Sequence, residues 1–231
     1  MVAVATGDMV NSSQLPQPVR AALPDTLRDA YAEATEGLPP EAVSELALVS
    51  GDGWQCLFHT PEQALGRVLQ LAAQLQAEGL ATRMALALGT VDRLRTDLNA
   101  SDGPALRRSG RGLQQLRADQ RFDLLLPDDV PVATTVAAGA IAELCDAWIQ
   151  AWTPAQAQAM AGVLRGWDGA PVRTQADVAE AWTPEPITRQ TVNRHLHRAG
   201  WPRLERTLHR FSALVAALRS TSPQPDGEAA A

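Results

Sequence analysis

Glu45-Leu-Ala-Leu-Val-Ser50 and Trp54-Gln-Cys-Leu-Phe58 are two β-compatible runs held apart by Gly51-Asp52-Gly53. A three-residue link with a glycine at each end reads as a tight hairpin, because glycine admits positive φ, and it sets Asp52 at the tip. Upstream, Val2-Ala-Val-Ala-Thr6 runs into Gly7-Asp8, the pattern of a buried strand that delivers a carboxylate at its end. Between strand and hairpin, Val19, Leu23, Leu27 and Tyr31 recur every four residues and predict a helix over 18–36, with Pro24 as a kink or a late start. Downstream, Pro61 opens a helix to Glu78 that carries Leu65, Val68, Leu69, Ala72 and Leu75 on one side, and Gly79 closes it. Thr82 to Leu88 then forms a fourth strand that ends at Gly89.

That succession predicts an α+β fold built on a ferredoxin-like βαββαβ sheet. A further helix over 103–118 and a strand over 122–126 follow, and Pro127-Asp-Asp-Val-Pro131 breaks the pattern. A connecting helix over 134–151 leads to Thr153-Pro154. The expected boundary lies near residue 150: an α/β domain over 1–150, an all-α domain over 151–220, and a disordered tail over 221–231 that lacks apolar bulk.

Charge divides along the same line. Residues 1–150 hold 11 arginines against 19 acidic side chains, a net −8, whereas residues 151–219 hold nine against five, a net +4. An acidic chain is a poor polyanion binder as a whole, but a local positive field on one module is what phosphate contact needs. All 20 basic residues are arginine, which reflects genome composition. Cys56 and Cys145 lie far apart without metal-type spacing and read as buried thiols. No apolar run approaches the ~20 residues of a membrane span, and no basic segment precedes the apolar start, so a soluble, cytoplasmic protein is expected.

If the first strand lies beside the hairpin, Asp8 and Asp52 converge within reach of one hard cation. Two such carboxylates suit Mg²⁺ carried with a nucleotide's phosphates. The bland alternative is that Gly-Asp simply makes two turns, where both residues are common.

Gly7-Asp8-Met-Val-Asn-Ser12, Ser50-Gly51-Asp52-Gly53-Trp54-Gln55, Arg83-Met-Ala-Leu-Ala-Leu-Gly89 and Ser101-Asp102-Gly103-Pro104-Ala105 together resemble the SatD family of bacterial proteins over roughly residues 1–220. More distantly the same blocks resemble the domain of class III nucleotide cyclases. That resemblance implies Asp8 and Asp52 as metal ligands, with the Met9 carbonyl as an extra one, and Asn11, Ser12, Gly51, Arg107 and Arg111 as nucleotide-binding residues. Two departures weaken turnover. The family's adenine-selecting lysine is replaced by Leu48, and its asparagine–arginine pair by Ala105-Leu-Arg107-Arg108-Ser-Gly-Arg111. Binding of a nucleotide with Mg²⁺, without cyclisation, is the resulting expectation; a Mg²⁺-dependent nucleotide-processing enzyme is the alternative.

In the basic module Thr153 caps a helix that starts at Pro154 and runs to Gly166, Thr174-Gln-Ala-Asp177 caps a second that reaches Trp182, and Thr188 caps a third from Arg189 to Ala199. The arrangement resembles a bacterial three-helix DNA-binding domain with a helix-turn-helix, although Thr183-Pro-Glu-Pro-Ile187 is longer than a simple turn. On the third helix Val192, Leu196 and Ala199 face inward, which turns Gln190, Arg194, His197 and Arg198 outward, with Asn193 at the edge and Arg189 near the N-terminus. These six are the candidate DNA contacts. A helical bundle serving dimerisation is the bland reading. After Pro202 a last helix carries Leu204, Leu208, Phe211, Leu214, Val215 and Leu218, a stripe wide enough for the module or for a second copy, so a homodimer is among the expected partners. The leading expectation is a DNA-binding, transcriptional regulator rather than an enzyme, whose first domain senses a nucleotide or dimerises.

Overall fold

The computed structural model describes residues 1–49, 51–165, 167 and 173–221. Ser50 of the hairpin, the Gly166 helix end and the tail beyond Thr221 lie outside the described residues.

Five strands form one sheet: β1 (Val2–Met9), β2 (Ala47–Val49), β3 (Gly53–Phe58), β4 (Thr82–Gly89) and β5 (Phe122–Leu125). Their spatial order is β2-β3-β1-β4-β5, and every neighbouring pair is antiparallel except β4 and β5, which are parallel. Helices α1 (Gln17–Ala34) and α2 (Pro61–Ala77) connect β1 to β2 and β3 to β4, and α3 (Pro104–Gln115) connects β4 to β5. This is a mixed α+β fold.

Successive side chains on a strand point to opposite faces, and β1 divides cleanly. Ala3, Ala5 and Met9 enter a large apolar cluster with α1 and α2, while Val4 joins Leu57, Leu98, Ala105 and Leu106 beneath α3. Pro24 sits inside α1 without ending it, and Leu23, Leu27 and Tyr31 are buried; Val19, expected on that stripe, is exposed. The Cys56 and Cys145 thiols are buried and unpaired, and burial in apolar surroundings pushes both well above the ordinary thiol range.

β1 extends three residues further than Thr6, because β4 pairs with it along its whole length, from Val2 opposite Gly89 to Met9 opposite Thr82. Gly7 is therefore a strand residue rather than a turn. A Cβ there would fall 2.4 Å from the Trp54 ring, so only glycine lets the indole cross the strand. The indole N–H donates to Thr82 Oγ1 at 3.0 Å, and that hydroxyl donates to the Asp8 carbonyl at 2.7 Å.

Five helices follow: α4 (Val132–Ala151), α5 (Pro154–Leu164), α6 (Gln175–Glu180), α7 (Arg189–Ala199) and α8 (Trp201–Thr221). Thr153 with Gln156 and Thr174 with Asp177 form reciprocal capping boxes on α5 and α6. α6 stops at Glu180, so Trp182 lies beyond it rather than on it. By length and composition α4 is apolar enough to cross a membrane, which the sequence reading did not anticipate. Its inner side packs against β5, where the Asp146 carboxylate accepts from the Arg121 and Phe122 N–H groups at 2.6 and 3.0 Å.

The apolar stripe of α8 is spent inside the chain. Leu204, Leu208, Phe211, Val215 and Leu218 are buried, Ser212 donates to the Glu62 carbonyl, and Arg219 pairs with the Glu62 carboxylate at 2.7 Å, all of which fastens α8 to the start of α2. The larger apolar cluster takes in residues from both sides of position 150 without a break. α2 is its centre: twelve of its 17 residues are buried.

Candidate functional site

Asp8 occupies an even position of β1 and so stands on the α3 face of the sheet with Val4 and Thr6. In the ladder it lies opposite Gly53 on one side and Arg83 on the other. Arg83 donates to both carboxylate oxygens, Nε to Oδ1 at 2.7 Å and Nη2 to Oδ2 at 2.8 Å. This is the fork-on-fork geometry that makes arginine–carboxylate pairs strong and directional. The hydrogen bond to Asp8, with the charges of Asp8 and Asp52, raises the Arg83 pKa further above its ordinary value.

Asp52 follows Gly51, whose φ of 85° turns the hairpin. Its carboxylate accepts a hydrogen bond from the Ser12 hydroxyl. Ser12 begins a short 3-10 turn over Ser12–Gln14, entered through Asn11 in the left-handed conformation with φ 53°. The two motifs thus meet at one end of the sheet, Asp8 through Arg83 and Asp52 through Ser12. Beside them Thr6 Oγ1 is within 2.8 Å of both Ser109 Oγ on α3 and the Gln55 amide nitrogen.

A pair of carboxylates waiting for Mg²⁺ does not fit this arrangement. Mg²⁺ requires near-octahedral oxygen ligands, whereas both oxygens of Asp8 receive guanidinium N–H groups and the position in front of them already holds a positive charge. Among the described residues no cluster of three or more His, Cys, Asp or Glu side chains is placed to hold a metal. The carboxylate read from sequence as a cation ligand accepts a guanidinium instead. In the strand-four motif Arg83 has no visible role; the β1–β4 register, which puts it opposite Asp8, reveals one.

Of the α3 arginines, Arg107 pairs with Asp102 at 2.5 Å and Asp92 at 3.6 Å. Arg108 reaches the Leu88 carbonyl and Asp128. Arg111 is exposed and has no ion pair among the described residues. Ser12 and Asn11 meet the Gly51-Asp52 turn through the Ser12 hydrogen bond to Asp52, whereas no hydrogen bond or ion pair joins Arg107 or Arg111 to Asp8 or Asp52.

The second candidate surface is α7. Thr188 caps it by accepting from the Thr191 N–H, and Gly200 ends it with φ 86°. Val192, Leu196 and Ala199 are buried, and the Trp152 indole donates to the Ala199 carbonyl at 3.0 Å, so the inner side is pinned. Arg189, Gln190, Asn193, Arg194, His197 and Arg198 are all exposed. Arg189, Arg194 and Arg198 have no ion pair among the described residues, in contrast to the arginines that face the sheet. His195 stacks on Trp182 with ring centroids 5.5 Å apart and planes 16° from parallel. Burial, followed by the nearby Arg194 and Arg198 charges, lowers its pKa below the ordinary histidine value.

No protein-family profile and no curated protein matches the sequence. Solved structures do. The dimeric guanylyl cyclase domain of the RhoGC fusion protein from the aquatic fungus Blastocladiella emersonii is 16% identical with a TM-score of 0.41, and the match covers 53% of this chain and 78% of that one. The guanylate cyclase domain of RhGC from Catenaria anguillulae, solved with GTP, is 18% identical with a TM-score of 0.40, covering 53% and 76%. A bacterial light-regulated adenylyl cyclase is 15% identical with a TM-score of 0.40, covering 53% and 42%. These three matches, to nucleotide cyclases, each cover about half of this chain.

Proposed function

We propose that the chain binds double-stranded DNA through α7, as a regulator of transcription. The observation that carries this reading is the composition of one helix face: Arg189, Arg194 and Arg198 stand in solvent without carboxylate partners among the described residues, interleaved with Gln190, Asn193 and His197, side chains that hydrogen-bond base edges. A cation without an internal partner keeps its charge available for phosphate, and a helix pinned from behind by Val192 and Leu196 presents it rigidly. α5, α6 and α7 are then read as the three-helix unit of a helix-turn-helix, with α7 in the major groove.

On the same reading the β1–β4 portion is a ferredoxin-like, nucleotide cyclase-like domain of the SatD kind that supports the reader, by sensing a nucleotide or by dimerising. The Arg83 guanidinium in front of Asp8 speaks against the Mg²⁺-dependent enzyme. Gel shifts of the full chain on genomic fragments from its own locus, at two salt concentrations, test the proposal. Binding that weakens as salt rises and is reduced by Arg194→Ala supports it; a chain that retards no fragment at low salt refutes it.

A further inference from the structure

A cleft of about 720 Å³ opens where the sheet half of the chain meets the helical half, and none of its walls is drawn from Asp8, Asp52 or α7. That volume is in the range of sites for small organic molecules, which favour such junctions. α1 and α2 line one side and α6 with the residues after it the other, while α5, which packs on both α2 and α6, runs between them. The charged residues of the lining are Glu33, Glu78, Arg165 and Arg173, so its net charge is zero.

These four are not alike. Arg165 pairs with Glu33 and with Glu36, so much of that charge is settled within the chain. Glu78 and Arg173 have no ion pair among the described residues. Glu78 follows α2, whose last turn carries no basic residue and whose dipole already favours a cation at that end. Burial, then the charges of Glu33 and Asp29, raise its pKa above the ordinary glutamate value. Arg173 acts on Glu36 and Asp177 only through its field. Ala161, Val178, Trp182 and Pro184 give the same cleft an apolar stretch.

We propose that the cleft binds a small zwitterion with an apolar body, of the class of free amino acids and short peptides, its ammonium at Glu78 and its carboxylate at Arg173. A neutral lining with two unsettled poles of opposite sign matches a dipolar ligand. A simple amine would leave Arg173 without a partner, and a simple acid would face Glu78. The arginine fork fits both oxygens of a carboxylate, and the apolar stretch removes the ligand's body from water.

The site reaches α7 through Trp182, since the ring that lines the cleft is the one stacked on His195. The segment that carries it is tied down at two points. The Gln158 amide donates to the Thr183 hydroxyl at 2.9 Å, and the Ile187 N–H donates to the Ala179 carbonyl at 3.0 Å. A ligand that spans from α2 to α6 therefore fixes the reading helix relative to the sheet. By linkage, ligand and DNA then change each other's affinity by the same factor. This last step rests on the DNA reading, whereas the binding of the zwitterion does not.

Calorimetry on the full chain with leucine, phenylalanine and leucyl-leucine, beside the one-charge analogues isoamylamine and isocaproate, tests the site. At least one zwitterion should bind, and both analogues should bind about tenfold or more weaker, the loss that follows from removing one charged hydrogen-bonded pair. Glu78→Gln and Arg173→Met should each weaken binding by a similar factor, while Glu41→Gln, at an exposed carboxylate outside the cleft, should not. The bound zwitterion should shift the His195 ring signals in NMR and alter DNA affinity in gel shifts. Three silent zwitterions at millimolar concentration, analogues that bind as well as they do, or Glu78→Gln and Arg173→Met chains that bind like the wild type would each overturn the site. A bound zwitterion that leaves His195 unmoved would overturn its link to α7. If the wild type retards no DNA, the DNA reading falls, and calorimetry with NMR still decides this inference by itself.

Discussion

Replacing Arg83 by methionine keeps the aliphatic stem and removes the fork that holds Asp8. Each of the two hydrogen bonds to the carboxylate, at 2.7 and 2.8 Å, would contribute about 1.5–3 kcal/mol if fully shielded. The side chains are 36% and 24% exposed, however, and ion pairs at the surface contribute only about 0–1 kcal/mol. A loss of about 1–2 kcal/mol lies between these limits. For a chain of 231 residues that is roughly 2–8 °C in Tm. A double-mutant cycle with Asp8→Asn should return about 1 kcal/mol of coupling, which separates the pair from general damage. The same substitution has a second, opposite effect: with the guanidinium gone, Asp8 presents two free oxygens near Asp52, and Mn²⁺ titrated into Arg83→Met, followed by electron paramagnetic resonance, should bind measurably more tightly than to the wild type. Equal Mn²⁺ affinity in the two proteins, or zero coupling in the cycle, would refute the view that Arg83 stands where a cation would.

In DNA binding, Arg194→Ala should lose about 1–3 kcal/mol on particular sequences if Arg194 reads a base, or lower affinity for all DNA and reduce the salt slope by about one if it anchors a phosphate. His195 should titrate below 6.5 by NMR, and both Arg194→Ala and Arg198→Ala should move its midpoint upward; because the unfolded chain protonates first as pH falls, this residue makes the fold less stable on acidification through that range. Thr153→Ala and Thr174→Ala should each cost about 1 kcal/mol in denaturant unfolding, through lost caps on α5 and α6. Both thiols should resist Ellman's reagent in the native protein and react at once in denaturant, since burial keeps each protonated.

Where the chain carries strong punctuation, its structure was legible. Pro61 and Gly79 bracket α2, and Thr188 and Gly200 bracket α7, because a fixed φ, a side-chain acceptor and a positive-φ glycine each act locally. The alternation of β3 and the turn at Gly51-Asp52 were legible for the same reason. What stayed hidden depends on partners distant in sequence. Gly7-Asp8 has the local chemistry of a turn, and only the full-length ladder with β4 draws it into the strand. Arg83 has no visible role until that register sets it opposite Asp8. The stripe of α8 was evident, but not that it would close on Glu62 and α2 rather than on a second molecule. The face of α4 was read as a plain connection, since its alanines have little signal until the structure shows which of them are left in solvent.

The burial of α2 has a consequence for how such a chain can change over time. Many DNA readers behave as cassettes that can be cut from one protein and joined to another. Here α5 and α8 lie along a helix whose other side serves the sheet, so a recombination point near residue 150 would strip both partners of the same wall. A larger side chain at Gly66 would meet the Trp167 ring, 2.8 Å from where a Cβ would stand, so that side of α2 admits little change. Sheet and helices are thus coupled through α2, whose surface carries α5 and, through α5, α7.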